Sequence, residues 1–158
     1  LNFINQHPAD YYIHCGDIYM PYSPLEIDNF YNVRGNNDFA DIPKDLTLTI
    51  DGLNFFICHG HLFHIDESMY DLENYAFNHH IDVVCFGHSH NPTCYKKENT
   101  LFINPGSVTF PRGNYPHPTY CIFDTENHEV QFYDLKENQP CNPFEVKKKE
   151  SFFKRFFK

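Results

Sequence analysis

Four short segments constrain this chain more than anything else in it: Gly16-Asp17, Gly35-Asn36-Asn37-Asp38, His59-Gly60-His61 and Gly87-His88-Ser89-His90. Each follows a β-prone run: Tyr11–His14, Tyr31–Arg34, Leu53–Cys58 and Asp82–Phe86. Five further runs of the same kind are Leu46–Ile50, Thr93–Lys96, Leu101–Asn104, Tyr120–Asp124 and Val130–Leu135. Asp51-Gly52 between two of them is a type I′ hairpin signal, and Glu98-Asn99 a weaker one. Asp66–Asn78 reads as a helix, with acids in its first turn and apolar residues at Met69, Leu72, Tyr75 and Ala76. Leu1–Asn5 reads as the end of another. Helices placed before and between mostly buried strands predict an α/β layered domain whose loops gather at strand ends.

The side chains in those loops share one competence. A carboxylate, an amide oxygen and several imidazoles make a mixed oxygen and nitrogen donor set, which suits manganese, iron, zinc or nickel better than magnesium or calcium. In locally extended backbone, residues i and i+2 point the same way, so His88 and His90 are expected to face one site together, as are His59 and His61. Taken singly, Gly-Asp and Gly-Asn-Asn-Asp are ordinary turns. Four such segments in this order, each closing a β-prone run, predict a metal site. His7, His64, His79, His80, His117 and His128 are read as surface groups and His14 as structural.

Composition narrows the functional classes. The chain has 158 residues, enough for one domain with its own core, and no run of eighteen apolar residues that would span a membrane. With 21 acids against 12 bases its formal charge is −9, which disfavours non-specific binding to long nucleic acids. The six cysteines form no C-x-x-C pair and several lie in apolar runs, so reduced thiols and a cytoplasmic location are expected. Charge is uneven: residues 1–134 carry 5 bases and 18 acids, residues 135–158 carry 7 bases and 3 acids. The expected division is an acidic folded body over 1–134 and a basic, phenylalanine-rich tail over 135–158, with Pro140 and Pro143 near the join. Phe152, Phe153, Phe156 and Phe157 would share one face of a helix among cations, a candidate for weak contact with an anionic membrane surface or a protein. Self-association stays open.

The order Gly-Asp, Gly-Asn-x-Asp, His-Gly-His and Gly-His-Ser-His resembles the calcineurin-like metallophosphoesterases. Two further segments, His59-Gly60-His61-Leu62-Phe63 and Ile103-Asn104-Pro105-Gly106-Ser107-Val108, resemble the small YfcE-type bacterial and archaeal phosphodiesterases. The resemblance spans about residues 9–126. It implies a β-sandwich of two mixed sheets flanked by helices in four α-β-β-α layers. It also implies a pair of divalent ions, manganese foremost with iron, nickel and zinc as alternatives. On the matching positions, Asp17 would bridge the two ions, Asn36, His59 and His88 would complete one site, and His90 would serve the other. Asp17, Asn36 and His59 would thus be catalytic. Asn37, His61 and Arg112 are the candidates for substrate contact, Arg112 either as a bidentate phosphate donor or as an ordinary surface arginine. The activity implied is hydrolysis of a small phosphodiester by a metal-bound hydroxide.

Two departures qualify the resemblance. The position after Gly-Asn, often a histidine that serves the leaving group, is Asn37 here, which cannot act as a general acid at neutral pH. Good leaving groups are therefore expected. The family also begins with a strand ending in Asp-x-His, and nothing of that form precedes Asp17. An N-terminally truncated family member is expected, binding one metal well and the other poorly. The alternative is a non-catalytic scaffold on the same fold, as in retromer's metallophosphoesterase-like subunit.

Overall fold

A computed structural model describes residues 4, 6–19, 27–39 and 41–145. Its ten strands are β1 (Tyr12–His14), β2 (Phe30–Asn32), β3 (Asp45–Ile50), β4 (Leu53–Cys58), β5 (Val83–Cys85), β6 (Thr93–Lys97), β7 (Thr100–Asn104), β8 (Thr119–Phe123), β9 (Val130–Asp134) and β10 (Gln139–Cys141). Between β4 and β5 come a single 3-10 turn, His61–Phe63, and one α-helix, α1 (Tyr70–Asn78). Nine of these strands coincide with the β-prone runs to within a residue or two. Among the described residues no helix is long and apolar enough to cross a membrane.

The central sheet has the order β3-β4-β5-β7-β6, with β4, β5 and β7 parallel and the two outer strands antiparallel. The β3–β4 hairpin turns at Asp51 and Gly52, whose φ values of 50° and 81° are the positive angles that a type I′ turn demands. Strand periodicity then sorts each central strand between two cores. Phe55 and Ile57 of β4, Val83 and Cys85 of β5 and Ile103 of β7 face one side. Phe56, Cys58, Val84 and Phe102 face the other, where Leu72 and Ala76 of α1 cover them. Phe56, Phe86 and Phe102 are almost wholly buried, and each contributes roughly 1.5–3 kcal/mol of hydrophobic stabilisation.

The layer opposite α1 consists of the parallel pair β1–β2 and the antiparallel sheet β10-β9-β8, whose Ile13, Tyr31, Cys121, Phe123 and Val130 pack on the first core. Two mixed sheets were expected. One is mixed, and the other layer lies in two pieces because no strand among the described residues pairs with both β1 and β8. The sheet also continues past Asp134, since Cys141 of β10 pairs with Phe132 and Phe144 packs edge-on against Phe132. The change of charge at residue 134 therefore falls in the turn between β9 and β10. The phenylalanine-rich part of the tail, from residue 146, lies outside the described residues, as does most of the expected Leu1–Asn5 helix, of which Ile4 is helical.

The expected helix over Asp66–Asn78 starts four residues later. His64 takes a left-handed φ of 53°, and its carbonyl accepts the N–H groups of Glu67 and Ser68, which closes a tight turn before the helix begins. Ser68 Oγ then accepts the N–H of Tyr70 at 3.1 Å. At the far side Glu73 ties α1 to the sheet edge by accepting from Tyr95 Oη at 2.9 Å and pairing with Lys97.

Candidate metal centre

The four glycine-coupled segments follow the C-terminal ends of β1, β2, β4 and β5, strands that are parallel within each pair. Parallel strands bring their C-terminal loops to one edge, which is where open α/β sheets hold ligands. Three potential ligands there have left-handed backbone: Asp17 at φ 60°, His88 at 64° and His90 at 57°. Each such angle costs a non-glycine residue roughly 1–3 kcal/mol, and strain of this kind clusters at functional sites. The extended geometry expected for the two His-x-His segments is thus absent. His61 opens the 3-10 turn after Gly60 at φ 109°, and His88 and His90 both sit in left-handed turns.

The side chains nevertheless gather. Asn36 Oδ1 lies 3.0 Å from both His59 Nε2 and His88 Nδ1. The two ring nitrogens are 3.3 Å apart, and His59 Nε2 is 3.5 Å from Asp17 Oδ2. The His61 ring packs 5.3 Å from that of His59 and 6.1 Å from that of His88, centroid to centroid, with its buried Nδ1 lacking a hydrogen-bond partner. His90 Nδ1–H donates to the carbonyl of Phe110 at 2.9 Å, which leaves its Nε2 unprotonated. Arg112 is exposed and reaches this region through its backbone N–H, which donates to the His90 carbonyl.

Surrounding groups decide which atoms face the centre. Cys15 O can only accept, so at 2.6 Å His59 Nδ1 carries the proton and Nε2 presents a lone pair. Burial pulls the His59 imidazole below its ordinary value, outweighing the Cys15 carbonyl and the Asp17 charge, so the neutral ring is the stable form near neutral pH. Burial alone would raise Asp17. The Asn37 backbone N–H and side-chain Nδ2–H, at 2.9 and 2.8 Å, together with His59 and His90, bring it below the usual carboxylate range instead. Asn37 is therefore turned toward Asp17.

Asp38 was not singled out in the sequence, yet its Oδ2 accepts the N–H groups of both Asp17 and Gly35 at 2.8 Å and so clasps two of the loops. Its place at the end of the Gly-Asn-Asn-Asp segment was the available signal. Buried Asn104 likewise braces the His88 loop, donating from Nδ2 to Gly87 O at 2.8 Å and Ser89 Oγ at 3.1 Å. Asp66, the other unanticipated residue, accepts from His88 Nε2 at 2.6 Å.

The donor set fits a cation. Asn36 Oδ1 and Asp17 Oδ2, both acceptors, stand 3.0 and 3.5 Å from the lone pair of His59 Nε2, an arrangement that is repulsive until a positive charge lies among them. Among the described residues no three His, Cys, Asp or Glu side chains suffice by themselves to hold an ion. The Asn36 amide oxygen is what joins His59 to His88. Gly35 is equally exacting, because a Cβ there would collide with the Asp17 carboxylate and backbone nitrogen. Gly35→Ala is expected to weaken Mn2+ binding at least about tenfold by calorimetry, with an unchanged far-ultraviolet circular dichroism spectrum.

Comparison with known proteins places the chain in a family. Residues 1–128 match the model of the calcineurin-like phosphoesterase superfamily domain. The chain is 35% identical to the "Probable metallophosphoesterase YsnB" of Bacillus subtilis over 83% of its own length and 79% of that protein's. It is 29% identical to a phosphodiesterase of Methanocaldococcus jannaschii, over 83% and 86% of the two chains. A crystal structure of a "predicted phosphoesterase" from Streptococcus pneumoniae superposes with a TM-score of 0.72 at 28% identity, covering 84% of this chain and 74% of that one. The chain belongs to the calcineurin-like phosphoesterase superfamily.

Proposed function

We propose that this phosphoesterase hydrolyses a small phosphodiester with a divalent ion, manganese foremost, held by Asp17, Asn36, His59 and His88. The observation that carries this reading is the cluster of mutually facing acceptors around Asn36 Oδ1. Phosphodiesterase is also the name of a relative aligned over most of both chains. An ion at this position would polarise phosphoryl oxygens and lower the pKa of a water molecule.

The protein's own residues set the remaining terms. Asn37 orients the Asp17 carboxylate through two hydrogen bonds and offers no proton to a leaving group. The His61 ring, 6.1 Å from that of His88, is read as the side chain that meets a phosphoryl oxygen, and exposed Arg112, whose backbone N–H donates to His90, as a second substrate contact. Esters with good leaving groups are the expected substrates. For a second ion the described residues offer Asp17 and His90, two donors against the four of the first, so one ion is bound more firmly than the other. A reducing compartment such as the cytoplasm suits the thiols of Cys15, Cys58 and Cys85, which sit buried in the cores, Cys85 pushed up to about 12 by burial.

The test is hydrolysis of bis(p-nitrophenyl) phosphate by the purified chain in Mn2+, alongside the same protein in chelator. Metal-dependent release of nitrophenolate is expected. Equal rates in both samples would refute the hydrolytic reading, and two tightly held ions per chain in elemental analysis would refute the unequal sites.

A further inference from the structure

We propose that Asp66 is a positioning residue that holds His88 in the tautomer able to ligate a cation. The inference rests on the metal-site reading above and concerns a residue outside the four motif segments.

The turn His64–Ser68 is built to present this carboxylate. His64 O accepts from Glu67 N at 2.9 Å and from Ser68 N at 3.2 Å, and the neighbouring Ile65 is pinned into the core that α1 covers. The Ile65 Cδ1 atom lies so close over Gly60 that a Cβ at Gly60 would come within 2.6 Å of it. The backbone on both sides of Asp66 is therefore fixed. Its Oδ2 stands 2.6 Å from His88 Nε2, although 66% of the Asp66 side chain is open to solvent.

An exposed contact of this kind adds little to stability, commonly under about 1 kcal/mol. Its consequence is the placement of one proton. Without Asp66, the metal-free imidazole has an alternative: a proton on Nδ1 could be donated to Asn36 Oδ1 at 3.0 Å or to His59 Nε2 at 3.3 Å. That choice would relieve the acceptor cluster and block the ligating atom. A carboxylate is a stronger acceptor than an amide oxygen or an imidazole, so Asp66 keeps the proton on Nε2 and leaves the Nδ1 lone pair toward the centre. His59 is set the opposite way by Cys15 O, with Nδ1 protonated and Nε2 free. The two rings thus offer different nitrogens to one point, each by an outer hydrogen bond.

The experiment reads tautomer and affinity separately. In metal-free protein at mildly alkaline pH, 15N NMR of the His88 ring is expected to show the Nε2–H form, and Asp66→Ala is expected to shift it substantially toward Nδ1–H. Mn2+ affinity by calorimetry should fall about 10–100-fold in Asp66→Ala and recover in part in Asp66→Glu. An Asp66→Ala protein that keeps the Nε2–H form, or one that binds Mn2+ as tightly as an unaltered chain that does bind it, overturns the proposal. If the unaltered chain binds no Mn2+ while its tautomer follows Asp66, the metal-site reading falls and the positioning role of Asp66 stands.

Discussion

Asp17→Asn is expected to reduce Mn2+-dependent hydrolysis of bis(p-nitrophenyl) phosphate by about a thousandfold while leaving the protein folded. Asp17 is the one carboxylate in the acceptor cluster, 3.5 Å from His59 Nε2 and held by two hydrogen bonds from Asn37. The amide keeps nearly the same volume and retains an oxygen for the Asn37 backbone N–H. What it lacks is the negative charge that offsets a divalent ion. A metal's contribution to phosphoryl transfer is several kcal/mol, and losing about 4 kcal/mol corresponds to about three powers of ten in rate. Elemental analysis should show the ion depleted in parallel, and circular dichroism should be unchanged. Retention of more than a tenth of the activity would mean that the cluster around Asn36 is not the reacting centre. The same measurement on His59→Ala tests ligation without a change of charge, since the His59 ring is neutral.

The second large effect concerns stability. Asp134 is 2% exposed and accepts four hydrogen bonds: Tyr115 Oη at 2.7 Å, His117 Nδ1–H at 2.5 Å, and the backbone N–H groups of Lys136 and Glu137 at 2.9 Å. Asp134→Ala strands all four donors, and breaking a buried, charge-assisted network of this kind costs about 3–5 kcal/mol. That is a large part of the roughly 5–15 kcal/mol holding a typical domain together. The thermal midpoint should fall by about 10 °C.

The acid dependence carries its own sign. Burial alone would raise Asp134, but the Glu137 N–H, Tyr115 and His117 bring it down to about 2, against about 3.9 for an unfolded aspartate. A carboxyl depressed in the folded state stabilises above its unfolded value, and this contribution, about 2–3 kcal/mol, is lost as pH falls from about 4 toward 2. Urea unfolding should therefore show the gap between the two proteins narrowing by about 1.3 kcal/mol from pH 7 to pH 3. A constant difference between them would contradict the assignment. Tyr115 and His117 follow the segment whose Phe110 carbonyl and Arg112 N–H meet His90 of the candidate metal centre.

Much of this molecule was legible in one dimension, for reasons that particular residues make plain. Alternation along β4 divides Phe55 and Ile57 from Phe56 and Cys58, which is what a strand covered on both faces requires. Asp51-Gly52 announced its hairpin because both positions need positive φ. The spacing of Met69, Leu72, Tyr75 and Ala76 located α1 but not its start, since a carboxylate in a first turn reads alike whether it faces a helix or, as Asp66 does, a histidine twenty-two residues away.

Donor types at the strand ends are properties of composition and local order that the sequence determined by itself. Which nitrogen of each histidine faces the centre was decided only in three dimensions. Cys15 O acts on His59 across 44 residues, Phe110 O on His90 across 20, and Asp66 on His88 across 22. Extended backbone at the His-x-His segments failed as a premise because His88 and His90 take left-handed angles, which residue spacing does not reveal. A proton's position on an imidazole depends on the acceptor that chain folding brings within 3 Å, so it belongs to the tertiary structure and not to the sequence of ligands.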